Sequence, residues 1–177
     1  MQDKFTFKIC LLGEPEVGKT TLVYRYIHNK FTEELASTLG VNILRKNVEL
    51  EGYYKITVQI WDLGGQDFYK FLRNDYLKGG MGALVIFDLT RKNTFSKVHE
   101  WIKDFYTICG SQPILLVGSK NDLTEKIEVD YDQAELLAKN NDMNFIVTSA
   151  KSGENVENAF TELIEEILHR SRKINDH

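Results

Sequence analysis

Gly13-Glu14-Pro15-Glu16-Val17-Gly18-Lys19-Thr20 stands between an apolar run, Phe5 to Leu12, and an amphipathic stretch from Lys19 to about Asn29. A buried strand, a glycine-bearing loop and a helix, in that order, make a cradle for phosphate. The spacing follows from the chemistry. The loop wraps around phosphate oxygens and turns backbone N–H groups inward, so Glu16, Val17, Gly18, Lys19, Thr20 and Thr21 are the expected ligand contacts. Gly13 and Gly18 permit conformations that a Cβ would obstruct. The helix that follows presents its positive end to an anion. Lys19 supplies a full cation to the β and γ phosphates and is an expected catalytic residue. The Thr20 hydroxyl is an expected ligand of Mg²⁺.

Outward from this loop, apolar runs alternate with helical patterns. Ile43 to Glu51 and Tyr54 to Trp61 read as a hairpin around Gly52. Ala83 to Asp88, Ile114 to Val117 and Asn144 to Thr148 are short, nearly continuous apolar runs, as in parallel sheets buried on both faces. Between them, Phe95, Val98, Trp101, Ile102 and Phe105 recur at helical spacing. So do Leu136 and Leu137 after Tyr131, and then Val156, Phe160, Leu163, Ile164, Ile167 and Leu168. The alternation predicts an α/β fold, a mainly parallel sheet with helices on both faces. Ligands bind such sheets at the carboxyl ends of the strands. No repeat or linker interrupts the 177 residues, so one domain over 1–177 is expected.

A net charge of −4 argues against a general binder of nucleic acid or anionic membranes. The two cysteines, Cys10 and Cys109, suit neither a disulfide framework nor a zinc site and are expected to be reduced. The N-terminus has no signal-peptide pattern, and no apolar run is long enough to span a bilayer. The last residues, Arg172 to His177, hold no cysteine for prenylation. A cytoplasmic location without a direct lipid anchor is therefore expected, with any membrane recruitment through partners. His28, His99, His169 and His177 form no ligand spacing.

Two further constellations follow strands. Trp61-Asp62-Leu63-Gly64-Gly65-Gln66-Asp67 comes directly after the second arm of the hairpin. An acid at a strand end can hold Mg²⁺ through water, which assigns Asp62. Gly65 can offer an unobstructed N–H to a γ-phosphate, and Gln66 can orient an attacking water. Thr38, in the loop before the first arm, can complete the metal shell, although Ser and Thr are common in loops. Ser119-Lys120-Asn121-Asp122 follows the strand that starts at Ile114. Asp122 can accept from the two donors on a guanine edge, a pair that adenine cannot supply. Lys120 can lay its stem over the ring. Asn121 belongs to the same base segment. Ser149-Ala150-Lys151, after the last strand, can offer N–H groups to the guanine carbonyl.

These motifs, in this order, resemble those of a Ras-superfamily small GTPase over about residues 5–170, followed by a short tail. Leu39-Gly40-Val41-Asn42-Ile43, Tyr76-Leu77-Lys78-Gly79-Gly80 and Leu84-Val85-Ile86-Phe87-Asp88-Leu89-Thr90 look most like the Rab branch. Asp62-Leu63-Gly64-Gly65-Gln66 is closer to the Arf form of the second switch. It also resembles the fungal GTPases that trigger septation and mitotic exit. The resemblance implies a P-loop NTPase G domain with six strands, one of them an antiparallel edge, and five helices. It implies GTP or GDP with Mg²⁺ as the ligand, slow hydrolysis of GTP, and switch loops near 32–42 and 62–78. Effectors, exchange factors and GTPase-activating proteins would read those loops, with Tyr69 and Phe71 as candidate contacts. Phe31 maps onto the aromatic that packs edge-on against guanine; the alternative is a core residue after the helix. Four departures stand out: Pro15 and Glu16 in the loop, Leu35 in place of a tyrosine, Ser119 in place of asparagine, and the missing C-terminal cysteine.

Two rival functions frame this reading. A P-loop kinase needs an Arg-bearing lid, and no Arg-rich insertion interrupts the pattern; Asp122 and Ser149-Ala150-Lys151 would have no role in it. A binding module that does not hydrolyse would have no use for Gln66, while Pro15 and Leu35 keep it open.

Overall fold

The structure is a computed structural model that describes residues 4–32, 40–50, 54–64 and 72–175. Its strands are β1 (Lys4–Leu12), β2 (Val41–Leu50), β3 (Tyr54–Leu63), β4 (Gly82–Asp88), β5 (Ile114–Ser119) and β6 (Asn144–Val147). Its helices are α1 (Lys19–His28), α2 (Arg73–Leu77), α3 (Lys92–Ser96), α4 (Val98–Cys109), α5 (Tyr131–Asn140) and α6 (Val156–Asn175). The six strands form one sheet in the order β2-β3-β1-β4-β5-β6. Every pairing is parallel except the β2–β3 hairpin, whose β2 is the edge.

Strand order reverses on the two sides of β1, so a crevice opens at its carboxyl end, where the Gly13–Thr20 loop begins. Register then sets the company of that loop. Leu11 pairs with Asp62, and Asp88 pairs with Ser119. The period-2 alternation of each strand divides the core between the two faces. Phe7, Ile9 and Leu11 of β1 point to the face that α1 and α6 cover, along with Leu84, Ile86, Leu115 and Val117. Cys10 and Leu12 point to the other, with Ala83, Val85, Phe87 and Leu116, beneath α2, α4 and α5. Strands buried this way need residues apolar on both faces, which is why their sequences run almost without interruption. Both cysteines are free thiols; Cys10 is buried, and Cys109 Sγ donates to the Leu77 carbonyl at 3.0 Å. Among the described residues, no helix is long and apolar enough to cross a membrane.

Three details differ from expectation. β3 and β5 run on to Leu63 and Ser119, beyond the apolar stretches, because the buried polar residues Asp62 and Ser119 remain in the ladder. Where five helices were expected, the described residues form six. The helical pattern around Phe95 to Phe105 is broken at Lys97, where Glu100 N–H bonds the Lys97 carbonyl three residues back at 3.0 Å. In α5 the buried positions are Ala134 and Ala138, while Leu136 is 58% exposed. Small side chains at i and i+4 let α5 lie close to the sheet, and Leu136 falls on the opposite side. Leu136→Gln should therefore move unfolding free energy by less than ~0.5 kcal/mol. Ala138→Leu, which overpacks the contact, should cost about 1–3 kcal/mol in urea unfolding.

Candidate functional site

The loop after β1 is shaped by its backbone. Gly13 has φ +144°, and a Cβ there would stand 2.1 Å from the Ile86 carbonyl oxygen, so only glycine passes β4. Glu16 sits at φ +63°, in the left-handed region that a non-glycine residue seldom enters. Gly18, at φ +100°, is the N-cap of α1. The Lys19 side chain folds back over the loop and donates to the carbonyls of Gly13 (2.8 Å) and Glu14 (2.9 Å). It is only 6% exposed. Burial pushes its ammonium down to about 8, while the Asp62 and Glu14 carboxylates oppose the shift. An anion placed here would add to that opposition and favour the charged form. Beside it, Thr20 Oγ1 donates to Asp62 Oδ2 at 2.5 Å. This pairs a helix-start hydroxyl with a fully buried carboxylate from a neighbouring strand.

The ends of β4, β5 and β6 build the second half of the site. Asp88 closes β4 and is almost wholly buried. Burial pushes its carboxyl up, but Lys120 and the N–H and hydroxyl of Thr90 outweigh that and hold it below its usual range. Lys120 Nζ lies 2.6 Å from Asp88 Oδ2 and donates to the Glu16 carbonyl at 3.0 Å. Its ammonium is thereby tied to the phosphate loop. Ser119 Oγ lies between the Val17 carbonyl (2.5 Å) and the Phe87 carbonyl (2.9 Å) and can donate to either. Asp122 is held by Ser149, whose Oγ donates to Asp122 Oδ1 at 2.6 Å. Asn121 bridges sideways: its amide donates to both Glu154 oxygens (3.2 and 3.0 Å), and its Oδ1 accepts from the Tyr131 hydroxyl at 2.7 Å. Ala150 is half-buried, Lys151 is exposed, and Phe31 is half-buried in the segment after α1. Thr38, Gly65 and Gln66 lie outside the described residues, as do Leu35, Tyr69 and Phe71.

Fold and register thus bring Glu16 to Thr21, Asp62, Ser119 to Asp122 and Ser149 to the carboxyl ends of β1, β3, β5 and β6. Three side chains there were not expected from sequence. Asp88 anchors Lys120, Arg91 reaches the Pro15 carbonyl (3.0 Å), and Trp101 reaches Glu14 Oε1 (3.0 Å). Asp88 carried a usable signal, an acid ending an apolar strand, just as Asp62 does. Ser119→Ala leaves the Val17 and Phe87 carbonyls without that donor inside the protein. A lost buried partner costs ~1–3 kcal/mol. Unfolding free energy in urea should fall by about that amount, and Ser119→Thr, which keeps the hydroxyl, should restore most of it.

The Ras family sequence pattern matches residues 8–169. The chain is 38% identical over 170 residues to Ras-related protein Rab-25 of Bos taurus, covering 96% of this chain and 79% of that one. It is 38% identical over 165 residues to GTP-binding protein ypt3 of Schizosaccharomyces pombe, covering 93% and 77%. It is 36% identical over 174 residues to Ras-related protein YPTC6 of Chlamydomonas reinhardtii, covering 97% and 80%.

Proposed function

This chain belongs to the Ras family of small GTPases, on its Rab branch, and from that premise we propose how its own residues handle the nucleotide. The chain binds GTP and GDP, hydrolyses GTP and works as a switch. The observation that carries the assignment of roles is the convergence of Lys19, Thr20 and Asp62 at the carboxyl end of β1, with the Asp122–Ser149 pair beyond the carboxyl ends of β5 and β6.

Lys19 releases the two loop carbonyls as it turns to the β and γ phosphates, and the N–H groups of residues 16–21 hold the rest of the phosphate chain. Asp122, oriented by Ser149, accepts from the guanine edge, and the Lys120 stem covers the ring while its ammonium stays on Asp88 and Glu16. Ala150 and Lys151 contribute N–H groups at the guanine carbonyl, and Phe31 packs against the ring edge. A buried carboxylate bonded to a hydroxyl is a pair of hard oxygen donors and suits Mg²⁺ rather than a soft metal. Thr20 and Asp62 would hold that ion, with Thr38 joining when GTP is bound. Held there, Mg²⁺ would supply charge neutralisation to the phosphates. Gly65 donates to the γ-phosphate, and Gln66 orients the attacking water. Pro15 has no N–H to give a phosphate, and its ring takes space beside the γ-phosphate that an activator's arginine would enter. Effectors, exchange factors and activating proteins read residues 32–42 and 62–78. The protein works in the cytoplasm and reaches membranes through such partners.

The test is direct. Purified protein is denatured, any released nucleotide is identified, and phosphate release is followed over several turnovers with GTP and with ATP. Guanine nucleotide and slow, GTP-selective turnover are expected; ATP turnover at an equal rate would favour a kinase-like or unspecific site. Gln66→Leu should slow single-turnover hydrolysis by roughly tenfold, ~1.4 kcal/mol in the barrier, with GTP affinity unchanged. An unchanged rate would assign the water to another group.

A further inference from the structure

Four consecutive residues of the phosphate loop are each gripped by a side chain from the β4–β5 side of the sheet. Trp101 Nε1 holds the Glu14 carboxylate at 3.0 Å, and Arg91 Nη2 holds the Pro15 carbonyl at 3.0 Å. Lys120 Nζ holds the Glu16 carbonyl at 3.0 Å, and Ser119 Oγ holds the Val17 carbonyl at 2.5 Å. The last two belong to the base segment already described. The first two do not, and nothing in the nucleotide reading needs them.

Peptide planarity shows what these grips do. In a trans peptide the C=O and the following N–H point in opposite directions. A carbonyl held outward therefore aims the next N–H inward. Arg91, through Pro15, aims the N–H of Glu16, and Lys120 and Ser119 do the same for Val17 and Gly18. Glu16 is also the loop residue that needs most support, because it holds φ +63° with a side chain in place. Such a conformation persists only where the surroundings over-determine it. The grips on Pro15 and Glu16 fix the peptides on both sides of that residue.

The two gripping side chains are themselves seated. Arg91 Nε bonds Asp88 Oδ2 at 2.9 Å, so one guanidinium spans strand end and loop. Trp101 is 3% exposed on α4, and the Arg73 guanidinium lies 3.8 Å above its ring. Arg73 is fixed in turn by Asp104 at 2.7 Å.

We infer that Arg91 and Trp101 are positioning residues for the nucleotide: Arg91 aims the Glu16 N–H at the phosphates through the Pro15 carbonyl, and Trp101 fixes the Glu14 end of the same loop. The inference rests on the reading of this loop as the phosphate cradle. It also accounts for how the loop carries a non-glycine residue at φ +63°: contacts from the ends of β4 and from α4 help to define the backbone there.

The experiment measures release of a fluorescent guanosine diphosphate from the full chain with Mg²⁺. Arg91→Lys keeps a cation that reaches Asp88 but loses the second donor. Trp101→Phe keeps a ring under Arg73 but loses the indole N–H. Because Trp101 is buried, Glu14→Ala breaks the same bond from the loop side, and Glu14→Gln keeps the acceptor oxygen. Arg91→Lys, Trp101→Phe and Glu14→Ala should each speed release by about 5- to 50-fold, the range of a buried bond to a charged or constrained partner. Glu14→Gln should stay within about threefold of the parent. Trp101→Phe combined with Glu14→Ala should release no faster than the faster single variant, since both remove one bond. Release from Arg91→Lys and Trp101→Phe at the parent rate, or fully additive effects in the combined variant, would overturn the inference while the parent's nucleotide binding stands. A parent that retains no guanine nucleotide would overturn the cradle reading and this inference with it.

Discussion

Asp122→Asn is expected to lower GTP affinity by ~10²- to 10⁴-fold and to open the site to xanthine nucleotides. A carboxylate that accepts from two guanine donors contributes ~1.5–3 kcal/mol through each, which converts to that range. The amide replaces one acceptor with a donor and so faces a guanine donor with another donor. Xanthine carries an oxygen at that position and restores the match. Ser149 sharpens the expectation, because its hydroxyl donates to Asp122 Oδ1 at 2.6 Å and holds the carboxylate in one orientation. Ser149→Ala should weaken GTP binding less than Asp122→Asn does, since it loosens the acceptor without removing it. Equilibrium titration with fluorescent guanine and xanthine nucleotides reads both effects. Parent-like GTP affinity in Asp122→Asn would move the base to another part of the sheet edge.

Thr20→Asn should weaken Mg²⁺-supported GTP binding by at least ~10²-fold and GDP binding by clearly less. Even residues that only support metal ligands cost 10- to 100-fold in metal affinity when lost, so a direct ligand should reach the top of that range. The difference between nucleotides is expected because GTP carries one more phosphate group whose charge the ion held by Thr20 would help to neutralise. The change also removes the hydroxyl that donates to Asp62 at 2.5 Å, inside a pocket where burial already pushes Lys19 down to about 8. Titrating Mg²⁺ at fixed GTP and then at fixed GDP separates the two ligands. Equal losses for both would place the metal elsewhere. Thr38 is an independent arm: Thr38→Ala should leave GDP binding almost untouched.

How much of the site was legible in the sequence depends on how local each contact is. The phosphate loop was legible because a strand, eight loop residues and a helix start lie together in the chain, and each residue type answers to a local need. Asp62 was legible as an acid at a strand end. Asp88 carried the same signal but lay within a run that also matched a family segment. Arg91 and Trp101 were not legible. Their partners, Pro15 and Glu14, are far away in sequence, and nothing local to a helix face distinguishes a tryptophan in the core from one whose N–H leaves the core for a loop. Ser119 was readable as a departure from asparagine, but not as a group that meets the Val17 carbonyl at 2.5 Å. Leu136 misled because its hydrophobicity matched the helical period, while the close packing of α5 selected the small residues Ala134 and Ala138 instead.

By itself, the sequence determined the class of fold, the family and the order of the chemical segments. Apolar periodicity and loop chemistry are local properties, and four segments that each follow a strand leave few arrangements open. Only the tertiary structure decided the register that pairs Leu11 with Asp62 and Asp88 with Ser119, and with it which polar groups meet across the crevice. It also decided that Glu16 holds a left-handed conformation between grips from Arg91 and Lys120. The reason is physical: a hydrogen bond between side chains and backbone far apart in sequence exists only once sheet order and helix packing have fixed the distance between them, and no local pattern encodes that distance.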